Sequence, residues 1–149
     1  MKVAIANDHR GVNLKFKIIN ILEKWGYEVI NKGSDKKESV DYPDFGSEAA
    51  KMVSSGKADM GIAICGSGIG MSIITNKFPN VRAALAYNPE IARMTRKHNN
   101  ANILVLAADY INEEKLEKTL KNFFETSFDG GRHQRRIDKI SNIENKLIK

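Results

Sequence analysis

Residues 60–70, MGIAICGSGIG, pass from an apolar run through a glycine-rich turn into a helical pattern. A continuous apolar run is typical of a strand that is covered on both faces, as in parallel sheets. Glycines after such a strand allow a tight connection to a helix, whose N-terminal N–H groups then face the turn. The stretch therefore predicts one strand–turn–helix unit of a parallel sheet, with Cys65 at the carboxyl end of the strand.

The same alternation continues in both directions along the chain. Four further apolar, β-prone runs lie at residues 2–6, 27–31, 82–87 and 102–107. Amphipathic segments separate them, at residues 12–25, 43–55, 70–78, 88–99 and 113–126. This order predicts an α/β fold: a Rossmann-like three-layer sandwich, with a five-stranded parallel sheet, helices on both faces and an extra C-terminal helix.

The extra helix is predicted at about residues 133–148, with no sixth strand after it. Its apolar stripe consists of Ile137, Ile140, Ile143 and Leu147. The stripe either covers the domain or packs on a second subunit, and we favour the second subunit. Because no linker, repeat or low-complexity segment interrupts the chain, residues 1–149 are expected to form a single domain.

Composition excludes several classes of protein. The formal net charge is +6, but no basic stripe interleaved with aromatic residues occurs, so nucleic-acid binding is not expected. One cysteine rules out an internal disulfide framework and zinc sites built from several cysteines. The N-terminal apolar run is too short for a signal peptide, and no run reaches the ~18 apolar residues of a membrane span. We therefore expect a cytoplasmic protein.

Polar and glycine-rich segments follow the predicted strands, where open α/β sheets bind ligands. They are NDHRG (7–11), CGSGIG (65–70), YNP (87–89) and AAD (107–109). The glycine turn matches neither the dinucleotide fingerprint nor the Walker loop, and it could be no more than a tight connection. A single cysteine is usually a small buried residue, but thiols at helix N-termini ionise more readily than free ones. Cys65 is thus a candidate nucleophile or general base.

Histidines and arginines supply the other candidate groups. His9, His98 and His133 all lie in polar, turn-like segments, where a lone histidine is more often a surface residue than a catalyst. Arg132 and Arg136 follow two glycines and are four residues apart, so they project from one helix face. That pair is either a phosphate clamp or a solvated basic face.

Five segments together identify a family that the chain resembles. They are NDHRG (7–11), SVDYPDF (39–45), ICGSGIGMSI (64–73), RMTRKHNNANIL (93–104) and DGGRHQRRI (129–137). Their order and spacing are similar to those of the type B ribose-5-phosphate isomerases, whose family also includes the galactose-6-phosphate isomerase subunits. The resemblance extends from Lys2 to about Glu144.

The resemblance implies an aldose–ketose isomerase of the pentose phosphate pathway. Such an enzyme interconverts D-ribose 5-phosphate and D-ribulose 5-phosphate through an enediolate, without a metal or an organic cofactor. By this resemblance Cys65 is the general base, and Asp8 and His98 open the furanose ring. The oxyanion is held by Ser67 and by the backbone N–H groups of the turn, namely Gly66, Gly68, Ile69 and Gly70.

The resemblance also implies how the substrate is bound and how subunits associate. Asn99 contacts the sugar, and the phosphate is bound by His9, Arg132 and Arg136. Members of the family are homodimers or homotetramers with the site between two subunits. Two alternatives stay open: an isomerase of another sugar phosphate (allose 6-phosphate, galactose 6-phosphate or a tetrose phosphate), or a sugar-phosphate-binding module without turnover. The presence of Cys65, Asp8 and His98 argues against the second.

Two residues depart from the family pattern. Where the family commonly carries an arginine near the end of the fifth strand, this chain has Asp109, and a loop of the SDHGG type reads NDHRG, with Arg10 as an extra cation. We expect Asp109 to weaken phosphate binding and Arg10 to compensate in part. Alternatively, Asp109 points to solvent or caps the helix that starts near Asn112.

Overall fold

One five-stranded parallel sheet forms the centre of the computed structural model, which describes residues 1–148. The strands are β1 (Lys2–Asn7), β2 (Glu28–Asn31), β3 (Met60–Cys65), β4 (Ala83–Leu85) and β5 (Ile103–Ala107). The helices are α1 (Val12–Lys24), α2 (Tyr42–Ser54), α3 (Ile69–Thr75), α4 (Pro89–Asn99), α5 (Leu116–Glu125) and α6 (Arg132–Leu147). The predicted α/β sandwich with a C-terminal helix is confirmed.

The strand order is β2-β1-β3-β5-β4, and every neighbouring pair is parallel. From β1 the chain moves outward to β2 and then returns to β3 on the other side of β1. The direction of winding therefore changes between β1 and β3, which is where open α/β sheets form a crevice at their carboxyl edge. Asn7 is aligned with Ile64 in the register, so the ends of these two strands lie side by side.

Side chains that alternate along the strands build two separate apolar layers. Val3, Ile5 and Ile62 face α1, α4 and α5 in one layer. Ala4, Ala6 and Ala63 face α2 and α3 in the other. Both faces of the sheet are thus buried, which explains why the strands are continuous apolar runs.

Several predicted boundaries differ from the structure. Helix α3 ends at Thr75, three residues early, and Asn76 ties its end to β4 by donating to Ser72 O and Ala83 O. A 3-10 helix, Glu113–Lys115, precedes α5, and another, His9–Gly11, precedes α1. No helix within residues 1–148 combines the length and apolarity needed to cross a bilayer.

The prediction that the whole stripe of α6 packs on a second subunit is wrong for Ile137. That side chain is buried within this chain, because α6 contacts α4. Ile140, Ile143 and Leu147, which lie farther along the helix, are exposed. The stripe therefore divides into a residue that belongs to this chain's own core and three that remain uncovered in the monomer.

Candidate active site

The carboxyl ends of β1 and β3 bring Asp8 next to Cys65. The N–H of Asp8 donates to Ile64 O at 3.1 Å, which fixes the two strand ends together. The Asp8 carboxylate is buried and its Oδ1 accepts from the N–H of Arg10 at 2.9 Å, so it caps the short 3-10 helix. Cys65 is 5% exposed. A carboxylate and a thiol thus share the floor of the crevice.

The glycine turn after Cys65 provides hydrogen-bond donors at the carboxyl end of β3. Gly68 has φ 78°, and a Cβ there would lie 2.5 Å from Leu85 Cδ1, so only glycine fits. Ser67 Oγ accepts from the N–H of Ile69 at 3.3 Å, which leaves the hydroxyl hydrogen to donate elsewhere. The first N–H groups of a helix lack intrahelical partners, so the start of α3 adds further donors. The turn is therefore suited to bind a developing oxyanion.

Two tyrosines line this turn, and neither was predicted as a site residue. The ring of Tyr42 lies against Gly70, where a Cβ would be 2.6 Å from Tyr42 Cζ. The hydroxyl of Tyr87 donates to Ser67 O at 3.0 Å. The sequence did contain a signal for both, because Tyr42 lies in the SVDYPDF motif and Tyr87 directly follows a strand run.

The loop that follows β2 orients His9. The N–H of Val40 donates to His9 Nδ1 at 3.2 Å, which assigns the proton of the neutral ring to Nε2. The fully buried Lys15 holds this loop by donating from Nζ to Ser34 O at 2.6 Å, and Asn7 Nδ2 donates to the same oxygen at 2.9 Å. His9 can therefore donate a hydrogen bond from Nε2 to a ligand.

Arg10 and Asp109 form an ion pair over the glycine turn. Arg10 Nη2 and Nε lie 2.6 and 2.8 Å from Asp109 Oδ2. A Cβ on Gly66 would lie 2.8 Å from that oxygen, so the pair covers the residue next to Cys65. The contact raises the pKa of Arg10. Asp109 does not cap the next helix, since Asn112 provides the cap by accepting from the N–H of Glu114, and its side chain, 37% exposed, is paired with Arg10 at the surface.

His98 and Asn99 lie at the other edge of the sheet. Helix α4 starts after the carboxyl end of β4 and runs back for 11 residues, about 16 Å. Its end is tied to the amino end of β4, because Arg82 donates from Nε to Asn99 O at 3.0 Å and from Nη2 to Asn100 O at 2.9 Å. The structure therefore does not bring His98 to Cys65 within one chain.

The start of α6 brings further cationic residues to His98. Gly130 and Gly131 have φ 69° and 57°, a left-handed conformation that lets the chain turn into the helix. The ring of His133 stacks on that of His98, with centroids 4.3 Å apart and planes 12° apart. Burial, followed by the charges of His98 and Arg132, lowers the pKa of His133.

The predicted site residues thus fall into two groups. The carboxyl-edge cluster comprises Asp8, His9, Cys65, Gly66, Ser67, Gly68, Ile69 and Gly70. The amino-edge cluster comprises His98, Asn99, Arg132 and Arg136. One cluster supplies a thiol and oxyanion donors, and the other supplies an imidazole and guanidinium groups.

One group of side chains within residues 1–148 has the composition of a metal site. The donor atoms of His98, Asp129 and His133 lie within 4.8 Å of one another. However, the two rings are nearly parallel, so their in-plane lone pairs point alongside each other and do not converge on one ion. The arrangement suits ring stacking, and a metal ion would require the rings to rotate.

Known proteins resemble this chain over nearly its whole length. The family model for ribose/galactose isomerases matches residues 3–140. A putative sugar phosphate isomerase of Bacillus subtilis is 46% identical over 149 residues, which are 99% of this chain and 100% of that protein.

Solved structures give the same result. Ribose-5-phosphate isomerase B of Clostridium thermocellum has a TM-score of 0.96 and 48% identity, covering 99% of each chain. The isomerase B of Mycoplasma genitalium, solved with bound ribulose 5-phosphate, has a TM-score of 0.93 and 38% identity, covering 97% of this chain and 96% of its own.

Proposed function

This chain belongs to the ribose/galactose isomerase family, and from that premise we propose that it interconverts D-ribose 5-phosphate and D-ribulose 5-phosphate. It is an aldose–ketose isomerase, and residues 1–149 act as a single isomerase domain. The observation that carries the proposal is the position of Cys65, the last residue of β3, between a buried carboxylate and an oxyanion-binding turn. The relative from Mycoplasma genitalium, which binds ribulose 5-phosphate, supports the choice of sugar phosphate.

The proton transfer uses the carboxyl-edge cluster. Cys65 as thiolate removes the proton from C2 of the open-chain aldose, which gives an enediolate, and returns the proton to C1, while the hydroxyl proton on O2 passes to O1. Ser67 and the N–H groups of the turn donate hydrogen bonds to the enediolate oxygen. General base catalysis supplies roughly 10²–10⁴ in rate, and an oxyanion donor roughly 10²–10³. Together they account for isomerisation by the chain's own groups.

Ring opening and phosphate binding use both clusters. Asp8 and His98 transfer the protons that open the furanose ring, and Asn99 contacts the sugar hydroxyls. The phosphate accepts from His9 Nε2 and from the guanidinium groups of Arg132 and Arg136, which bond phosphate oxygens in fork geometry. Each role follows the family motif in which the residue lies.

Because the two clusters lie at opposite edges of the sheet, one site needs two copies of the chain. We therefore propose a homodimer in which the carboxyl-edge cluster of one protomer faces the amino-edge cluster of its partner; a homotetramer would pair two such dimers.

Exposed isoleucines support the proposed dimer, since Ile69 and Ile73 on α3 are 55% and 57% exposed. Ile140 and Ile143 line a cavity of about 450 Å³ near Pro79. Clusters of exposed apolar side chains are typical of interfaces.

An assay of ketose formation tests the proposed reaction. Purified protein is incubated with ribose 5-phosphate, allose 6-phosphate, galactose 6-phosphate and a tetrose phosphate, with unphosphorylated ribose as the control for the phosphate requirement. We expect the highest kcat/KM with ribose 5-phosphate and no ketose from ribose. A higher kcat/KM with a hexose 6-phosphate would make that sugar, and not ribose 5-phosphate, the assigned substrate. No turnover of any of the four sugar phosphates would contradict the isomerase assignment.

A further inference from the structure

We propose that Arg10 is a further phosphate-binding residue of this site and that Asp109 is its positioning residue. The identity of the ligand rests on the proposed function, whereas the geometry of the pair does not. The ion pair joins the loop after β1 to the loop after β5, and these loops flank the glycine turn. It is therefore placed at the rim of the crevice that holds Cys65.

Both members of the pair are anchored through their backbones to the carboxyl-edge cluster. The N–H of Arg10 donates to Asp8 Oδ1 at 2.9 Å, and the N–H of Asp109 donates to Gly66 O at 3.0 Å. Arg10 is thus fixed at both ends: Asp8 accepts from its backbone N–H, and Asp109 pairs with its guanidinium group. A long side chain that is already ordered loses less rotamer entropy when a ligand binds.

The guanidinium keeps donors for a ligand. Nε and Nη2 contact the same oxygen of Asp109, and Nη1 carries two further N–H groups. The side chain of Arg10 is 55% exposed, so these donors are accessible. Asp109 therefore uses only one side of the planar group.

A cavity beside the pair matches a phosphate group in charge. It has a volume of about 280 Å³, and its charged lining is His9, Arg10, Lys37 and Asp109. The single carboxylate is paired with Arg10, His9 accepts from Val40 at Nδ1 and so carries its ring proton on Nε2, and Lys37 adds a positive charge to the lining. Three side chains with donors and one carboxylate that is already paired give the lining a net positive charge, which favours an anion such as a phosphate.

Calorimetric titration with inorganic phosphate tests the inference without turnover. The variants are Arg10→Ala, Asp109→Asn and the double variant. A matched control is Lys17→Ala, because Lys17 and Glu113 form another exposed ion pair between the α1 region and the segment after β5. Circular dichroism and thermal melting verify that each variant is folded.

Arg10→Ala is expected to raise the Kd for phosphate by about tenfold, because the variant loses one charge-assisted hydrogen bond to the phosphate. Asp109→Asn is expected to raise the Kd by a smaller factor, and to have no such effect in the Arg10→Ala background, since Asp109 acts through Arg10. With ribose 5-phosphate, the same variants should raise KM and leave kcat nearly unchanged. Lys17→Ala should change the Kd by less than about twofold.

Three results would overturn the inference. In the first, Arg10→Ala binds phosphate with the same Kd as the unmodified protein. In the second, Asp109→Asn binds phosphate more tightly than the unmodified protein, and in the third the unmodified protein does not bind phosphate. If phosphate binds as expected but no sugar phosphate is isomerised, the proposed function fails while the phosphate site stands. If isomerisation is normal but Arg10→Ala binds phosphate normally, only this inference fails.

Discussion

Cys65 is almost completely buried and ends strand β3, so its thiol lies on the floor of the ligand crevice. Cys65→Ala should lower kcat by roughly 10²–10⁴, the contribution of a general base, because no other group at this position can take the C2 proton. Steady-state kinetics with ribose 5-phosphate measure the effect. Calorimetry should show that phosphate still binds, and more than a few per cent of the original kcat would contradict the role of base.

His98 is expected to act in ring opening and not in the proton transfer between C2 and C1. His98→Asn should therefore lower kcat/KM strongly for ribose 5-phosphate, which is mostly cyclic. A tetrose 4-phosphate, whose phosphate prevents furanose formation, should be affected much less. Equal losses on both substrates would show that His98 has another function.

At the scale of single residues, the sequence predicted where part of the site lies but not all of it. Cys65, Asp8 and Ser67 could be predicted to lie together because they follow strands of one parallel sheet. The pairing of Arg10 with Asp109 could not, because the residues are 99 positions apart and their contact depends on which strands flank β3. This pairing changes the expected effect of Asp109, which orients Arg10 and is not an isolated negative charge.

Among the elements, the loop after β2 supports the site by orienting His9. It packs so tightly on β1 that a Cβ on Gly33 would lie 1.8 Å from Asn7 Oδ1. Gly33→Ala should lower the free energy of unfolding by about 1–3 kcal/mol, the usual cost of overpacking. Denaturant unfolding with Asn7→Ala in a double-mutant cycle measures how much of this cost comes from Asn7.

We expect the effects of Gly33→Ala and Asn7→Ala on the free energy of unfolding to be coupled, since removal of the Asn7 amide relieves part of the clash with the new Cβ. Gly26→Ala is the control, because its Cβ would meet no atom within 4 Å and its cost comes only from φ 84°. Its effect should add independently to that of Asn7→Ala. Additive effects for Gly33→Ala as well would mean that the contact with Asn7 is not what excludes a side chain there.

Helix α6 is predicted to provide dimer contacts through its exposed residues. Ile140→Glu and Ile143→Glu each place a charge in a surface that the proposed dimer buries, so they should shift the protein towards monomers and lower activity. Light scattering at several concentrations measures the assembly, with Lys139→Glu as the control for added charge. Unchanged assembly in both isoleucine variants would contradict an interface at this position.

Element boundaries illustrate what hydrophobic periodicity can and cannot determine. Strand and helix type followed from the period of the apolar residues, and the predicted order was confirmed. The end of α3 did not follow, because Asn76 ends the helix through side-chain hydrogen bonds to Ala83 of β4. Such a contact between two elements leaves no trace in the spacing of apolar residues. The division of the α6 stripe at Ile137 likewise depends on contact with α4, which periodicity does not encode.

In the whole molecule, the separation of the two clusters is the feature that connects fold with function. A helix that follows a parallel strand must return to the amino edge before the next strand, so the end of α4 cannot reach Cys65 in the same chain. An active monomer of 16.7 kDa would therefore contradict the proposed shared site.

Mixing two inactive variants tests the shared site most directly. Cys65→Ala and His98→Asn are each expected to be inactive, but a mixed dimer of the two contains one site with both residues intact. Random reassociation after gentle dissociation should restore about a quarter of the original activity, because half the dimers are mixed and each has one intact site of two. A mixture of His98→Asn with Arg132→Ala should restore none, since both changes lie in the amino-edge cluster. No recovery in the first mixture, with mixed dimers verified by native mass spectrometry, would contradict a site shared between subunits.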